Sequence, residues 1–435
     1  MAGVVKPAAA PSVGERVLVR VRSLASSGAG VADLPDGRVA FVQRTAPGDL
    51  VEARIVKLRP RWGEARLLEV LEAGPSRLEA PCPLFDRCGG CSLQHLGYDE
   101  QLRWKRTFVA DAMARIGGLE APVPAVVPSP RQTGYRNRVT FTVRALAKDR
   151  FVAGFHALGN PDRIVDVGTE CLLPEPPILE AWAAIRGALR SGALPLQERG
   201  ELRLTLRSLE AGVVLLVKGG GPGWDPALLL AQVPGLLGVW YHASGERAPV
   251  QVAGGPVHEA WGEDRVPMAG QAFLQVNRGA AESLTAFVLA QAGAPARAID
   301  AYCGIGVYGR ALARRGWEVE GIELDADACA GARHDAPAGF RVWEGRAEDR
   351  LAELLPADLV VLNPPRTGLH EGVLAALTRR LPSTVVYVSC DPATLARDAG
   401  RLKEAYRLVD IRSFDLFPQT SHVETVAVLI PRGGK

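Results

Sequence analysis

Two residues near the C-terminus carry the most chemical information in this chain. Cys390 follows the apolar run Val385-Val386-Tyr387-Val388-Ser389 and leads into Asp391-Pro392-Ala393-Thr394-Leu395. Glu424 closes the stretch Phe417-Pro418-Gln419-Thr420-Ser421-His422-Val423 and precedes a second apolar run from Thr425. A thiol is a strong nucleophile near neutral pH once its proton is lost, and a carboxylate can take a proton from carbon. Together they are the minimum set for covalent catalysis on an electron-poor ring. Each apolar run reads as a strand, which would hold both groups where strand meets loop, the place where parallel α/β sheets bind ligands. A lone cysteine at a strand end is more often a packing residue, so its surroundings must decide.

Upstream, Asp300-Ala301-Tyr302-Cys303-Gly304-Ile305-Gly306 lies between a strand and a helix. Gly304 and Gly306 permit a tight turn and close approach of a ligand to the backbone. Glu323 ends the next strand, Val319-Glu320-Gly321-Ile322-Glu323, and suits a grip on ribose hydroxyls. That spacing points to an adenosine-containing ligand. NAD is one candidate, with Gly309 five residues after Gly304 and three after Gly306, so the glycine spacing alone leaves the cofactor open. A further motif, Leu362-Asn363-Pro364-Pro365-Arg366, follows a later strand.

These motifs closely resemble those of the RNA (uracil-5-)methyltransferases, which use S-adenosylmethionine. The resemblance implies that Cys390 adds to carbon 6 of uracil and that Glu424, in His422-Val423-Glu424, removes the carbon 5 proton. His422 is then structural. It also implies cofactor contacts from Gln275, in Phe273-Leu274-Gln275-Val276-Asn277, and from Tyr302, Gly304, Gly306, Glu323, Arg346 and Asn363. Val307 stands where the family often has Asn, so one polar contact is expected to be missing. The family's Asp-Pro-Pro-Arg and Ser-Cys-Asn-Pro read here Asn363-Pro364-Pro365-Arg366 and Ser389-Cys390-Asp391-Pro392, an exchange of acid and amide. One carboxylate and one amide shared across two neighbouring loops is the expectation.

Cys82, Cys88 and Cys91 are spaced C-x5-C-x2-C, with Cys171 a distant fourth. Four thiolates could hold zinc or an iron–sulfur cluster, and the spacing leaves both open. The resemblance assigns the quartet to a [4Fe–4S] cluster. A radical S-adenosylmethionine enzyme does not fit this spacing or domain order. Cys303 and Cys329 read as packing cysteines.

The elements that must position these groups fall into three units. The expected fold class is α/β, with a C-terminal doubly wound Rossmann-like methyltransferase domain, a mainly β central domain and a small N-terminal OB-like barrel. Residues 1–72 read as the barrel, with strands at Arg16–Arg22, Arg38–Val42, Leu50–Leu58 and Glu64–Val70, resembling a TRAM domain. Residues 73–97 and 122–270 form the central domain with the cysteine quartet. Residues 98–121 and 271–435 form the methyltransferase domain, since in the resembling family the helix ahead of the central domain packs on the C-terminal one. That helix spans Tyr98–Ile116 and ends at Gly117-Gly118.

The net charge of +3 does not announce a nucleic-acid partner, but residues 1–72 hold 11 Lys/Arg against 8 Asp/Glu and so account for all of it. Arg54, Lys57, Arg59, Arg61 and Arg66 cluster there, either as a solvated face or as a stripe for phosphates. Tyr135-Arg136-Asn137-Arg138 offers a ring and two guanidiniums, suited to single-stranded RNA or equally to an edge strand. Arg59, Arg61, Tyr135, Arg136 and Arg138 are the candidate RNA contacts. With no apolar leader or membrane-length run, and seven cysteines, the expected address is the cytoplasm. The expected partner is RNA, 23S rRNA first and tRNA second, with no membrane and the chain a monomer. An RNA-binding relative without activity, or an amino-group methyltransferase suggested by Asn363-Pro364-Pro365, are the alternatives.

Overall fold

A computed structural model describes residues 10–147, 150–190, 193–197, 200–246, 248–261, 264–267 and 275–433; Phe273 and Leu274 of the Gln275 motif, and residues 1–9 of the N-terminal unit, lie outside the described residues. The N-terminal unit is a closed five-stranded barrel, as expected. Its strands β1 (Arg16–Leu24), β2 (Gly30–Asp33), β3 (Val39–Val42), β4 (Leu50–Leu58) and β5 (Trp62–Glu72) pair in the order β1-β2-β3-β5-β4. Alternation builds it: Val17, Val19 and Val21 of β1 and Val51, Ala53 and Ile55 of β4 fill the interior, while the arginines between them face out. The short β2 follows the glycine turn and had no sequence signal of its own. Gly30 opens it because a Cβ there would lie 2.0 Å from Thr45 Oγ1.

Helix α1 (Tyr98–Ala112) continues through a wider π-type turn to Gly117, and Gly118 stops it in the left-handed region at φ 59°. Its apolar stripe, Val109, Ala112 and Met113, is buried in the core of the C-terminal sheet. Lys105 on the same helix is completely buried 2.5 Å from Asp415, which is also completely buried.

The central sheet comprises β6 (Arg138–Ala147), β7 (Arg150–Ala157), β8 (Asn160–Asp166), β9 (Glu201–Ser208), β10 (Val213–Gly219), β11 (Leu236–His242) and β12 (Val250–Gly254), ordered β12-β11-β10-β9-β6-β7-β8. Leu202–Val217 reads in sequence as one segment. It is a hairpin, β9 and β10, turned at Leu209–Gly212 by a Leu209 N–H to Gly212 carbonyl bond. Helix α2 (Pro176–Arg190) covers one face, with Trp182 stacked on Phe141 at 3.9 Å; α3 (Pro226–Gln232) packs nearby. A separate hairpin, β13 (His258–Trp261) and β14 (Asp264–Pro267), belongs to neither large sheet.

The C-terminal unit alternates as α4 (Arg278–Ala290), β15 (Arg297–Ala301), α5 (Val307–Arg314), β16 (Glu318–Glu323), α6 (Ala326–Arg333), β17 (Phe340–Glu344), α7 (Ala347–Leu354), β18 (Leu359–Leu362), α8 (Glu371–Arg379), β19 (Thr384–Ser389), α9 (Pro392–Leu402), β20 (Tyr406–Phe414) and β21 (Glu424–Pro431). The sheet order is β17-β16-β15-β18-β19-β21-β20, parallel except for β21, which runs antiparallel to both neighbours. Leu359, Val360, Val361 and Leu362 are all buried, the continuous apolar run that a two-sided parallel sheet requires.

Candidate active site

Cys390 leaves the C-terminal end of β19, and Glu424 begins β21. In the antiparallel ladder Ser389 pairs with Thr425, so the next step brings Cys390 across from Glu424. Burial pushes the Cys390 thiol above its ordinary value, and the Glu424 carboxylate pushes it further; Arg366 opposes both. Glu424 is buried, and burial raises its carboxyl to about 7, again against Arg366. The site therefore holds a thiol, a carboxyl that is half ionised near neutrality, and a guanidinium facing both. Arg366 is a site residue that its motif alone did not reveal; its place after the Pro-Pro pair that follows β18 was the available signal. His422 is held neutral by burial and by Arg366, and its ring stands edge-on to Phe417.

The loop between β20 and Glu424 is fastened at nearly every residue. Lys105 Nζ donates to the Phe417 carbonyl, and Tyr135 donates its hydroxyl to the Pro418 carbonyl at 2.9 Å. The Gln419 carbonyl accepts from Ser92 and Leu93 N–H, and Gln101 exchanges two 3.0 Å bonds with Gln419. Ser421 N–H donates to Ser92 Oγ at 2.9 Å. The cysteine-bearing segment is thus the direct support of the loop that delivers Glu424.

A pocket beside this site is lined by Trp261, Gln275, Thr285, Tyr302, Cys303, Gly304, Ile305, Val307, Tyr308 and Asn363. Gln275, Tyr302, Gly304 and Asn363, four of the expected cofactor residues, are among them. Tyr302 and Gly304 have φ of 64° and 57°, and a Cβ on Gly304 would meet nothing within 4 Å. Gly306 instead serves packing, since a Cβ there would press on Phe340 at 2.6 Å. Glu323 Oε2 accepts from Gly304 N–H while Oε1 accepts from Leu324 and Asp325 N–H. Arg346 is exposed, paired with Glu348, and outside the pocket lining. Asp391 caps α9, accepting from Ala393 and Thr394 N–H. Asp391 thus has the task of a cap, which Asp or Asn fills equally, while Asn363 lines the pocket.

Cys82, Cys88, Cys91 and Cys171 line a second cavity with Leu84, Phe85, Phe155 and Val167. Gly90 N–H donates to Cys88 Sγ at 3.4 Å and Gln94 Nε2 to Cys91 Sγ at 3.1 Å. Burial raises Cys91 to about 11 and Cys171 to about 12, so thiolates there require compensating charge. Arg44 of the barrel donates to the Cys88 and Cys91 carbonyls. Among the described residues no three His, Cys, Asp or Glu side chains group as ligands of one metal ion.

The proposed RNA contacts divide. Arg59 and Arg61 are exposed at the turn between β4 and β5, whereas Lys57 is paired with Glu64. Tyr135 is fully buried with its hydroxyl engaged, which corrects the idea of a stacking ring. In the same motif buried Asn137 donates through its side chain to the Gln275 carbonyl and through its N–H to that of Val276. Arg136 lies between Tyr135 and Phe417, and Arg138 is partly buried near Glu259. The motif joins the central domain to Gln275 and Val276 and to the loop ahead of Glu424, a role the sequence reading missed.

The chain matches the family model described as tRNA (uracil-5-)-methyltransferase over residues 341–432 and the TRAM domain model over residues 12–68. An uncharacterized RNA methyltransferase of Gloeobacter violaceus is 36% identical over 445 residues, covering 96% of both chains. The 23S rRNA (uracil(1939)-C(5))-methyltransferase of Pseudomonas putida is 36% identical over 435 residues, covering 96% of this chain and 94% of the relative. Among solved structures, Pyrococcus abyssi tRNA (uracil-54, C5)-methyltransferase in complex with S-adenosyl-L-homocysteine matches with a TM-score of 0.75 and 28% identity, covering 95% of this chain and 100% of that one.

Proposed function

Because the chain belongs to the RNA uracil-C5 methyltransferase family, we propose that it methylates carbon 5 of a uridine in 23S rRNA through a transient bond between Cys390 and the base. The observation that carries this reading is the facing pair Cys390 and Glu424 beside the pocket lined by Gln275, Tyr302, Gly304 and Asn363. The identity and nearly full coverage of the Pseudomonas putida relative favour 23S rRNA.

When bound, S-adenosylmethionine supplies the electrophilic methyl group. The Cys390 thiolate bonds to carbon 6, and the displaced electron pair makes carbon 5 nucleophilic. Once carbon 5 carries the methyl, Glu424 takes its proton; the carbon 5–carbon 6 double bond re-forms and the thiolate leaves. Arg366 favours the thiolate that burial disfavours. A carboxyl raised to about 7 can both accept that proton and release it at neutral pH. The uracil must leave its stack to reach a half-buried thiol.

Cys82, Cys88, Cys91 and Cys171 fit a [4Fe–4S] cluster by donor set, by convergence on one cavity and by the N–H groups aimed at two of the sulfurs. Bound there, it would supply the charge that four buried thiolates need. Among the described residues no helix is long and apolar enough to cross a membrane, and the cytoplasm is the proposed address.

The Glu424→Gln variant tests the mechanism. It should accumulate a denaturant-resistant protein–RNA adduct containing the transferred methyl group when given 23S rRNA. An adduct with tRNA alone would establish the second reading, which the Pyrococcus abyssi neighbour favours. No adduct with either RNA, under conditions of full RNA binding, would remove the base role from Glu424. Protein purified without oxygen should be brown and hold about four irons per chain; one zinc per chain would overturn the cluster.

A further inference from the structure

The hairpin of β13 and β14 belongs to neither large sheet, yet it is held firmly against the cofactor pocket. Asp264, on β14, accepts from Arg310 Nε at 2.8 Å and from Arg314 at 2.7 Å, both on the helix that Gly306 opens. Glu259, on β13, forms a buried ion pair with Arg207 of β9 at 2.5 Å. Val266 packs on Ile305, with Trp261 and Val307 alongside. This clamp places Trp261 in the pocket wall, where the catalytic steps above give it no task.

The two ends of the pocket can be told apart. Glu323, the acid suited to ribose, lies outside its lining. Asn363 is within it, at the end of β18 and next to the strand that delivers Cys390. The pocket therefore receives the half of the cofactor nearest the reacting base, its sulfur and amino-acid chain, while the nucleoside lies toward Glu323. We infer that Trp261 is a cofactor-positioning residue that covers this methionine half, with Ile305 and Val307 continuing an apolar wall. An indole face there excludes water and attracts the cationic sulfonium. The inference rests on the cofactor assignment given above. It also accounts for Val307, whose apolar side chain packs on the same Val266 and Ile305 cluster as Trp261 in place of a polar contact.

Calorimetric titration with two probes tests it. S-adenosylhomocysteine carries the amino-acid chain; 5′-methylthioadenosine has the same nucleoside and sulfur without that chain. Trp261→Ala should weaken S-adenosylhomocysteine tenfold or more and leave 5′-methylthioadenosine within twofold, with Trp261→Phe close to the wild-type chain for both. In fluorescence, S-adenosylhomocysteine should change the emission of the wild-type chain, and Trp261→Phe should bind it with that change lost; this holds even if Trp261→Ala fails to fold. Equal weakening of both probes, no weakening of either, or an unaltered emission change in Trp261→Phe would overturn the inference. A wild-type chain that binds neither probe would instead overturn the cofactor assignment beneath it.

Discussion

Glu424 must be buried to stand beside the base and ionised to act, and these demands conflict. Its carboxyl has an ordinary value of 4.5 and sits at about 7 in the folded chain. The folded state therefore holds this proton more tightly than the unfolded one. Stability from that proton is complete below about 4.5 and is lost as pH rises through about 7. The difference corresponds to an upper bound of about 3 kcal/mol at alkaline pH. Glu424→Gln, which has no charge to bury, should be more stable than the wild-type chain at pH 8 by up to that amount, with the gain fading toward pH 4.5. Chemical denaturation at the two pH values measures it, and a pH-independent difference would sink the idea. The facing of Cys390 and Glu424 was legible because each sits at a strand end inside a spaced motif. Tyr135 was misread and Asn137 passed over because an exposed edge and a buried junction have the same composition; only the fold shows that their partners are Pro418 and Gln275.

Elements position these residues through loops rather than strands alone. Ser92 receives the Ser421 N–H and gives its own N–H to Gln419. Ser92→Ala should leave a donor unmet and loosen the Glu424 loop, lowering kcat about tenfold, in keeping with the cost of one unsatisfied buried donor. Affinity for S-adenosylhomocysteine should not change, and Ser92→Thr should restore the rate. A parallel loss of affinity would show that the contact only holds the fold together. The long alternating pattern from residue 297 made the doubly wound sheet readable, since parallel strands need crossover helices. Short β2 and the hairpin of β13 and β14 were not, because their four-residue strands lack the apolar run that made Val39–Val42 visible.

At the scale of the whole molecule, the barrel has two faces with different duties. Arg44 holds the cysteine loop, and the buried Asp49 to Arg77 pair secures the junction. Arg59 and Arg61 project from the opposite end of the strands into solvent. Removing residues 1–72 would therefore disturb the cysteine site as well as RNA binding. The double variant Arg59→Glu, Arg61→Glu is the cleaner probe. It should weaken RNA binding and flatten its salt dependence by about one unit of slope for each phosphate that these arginines neutralise, with cofactor affinity intact. An unchanged slope would make these arginines a solvated face. Helix α1, finally, precedes the central domain but completes the core of the sheet that follows it. During synthesis its apolar stripe and Lys105 must wait, unpartnered, while the central domain emerges, because Asp415 lies 310 residues further along the chain. Closure of the catalytic core thereby depends on a segment made long after the helix that it needs, so its completion waits on the whole stretch of chain between the two.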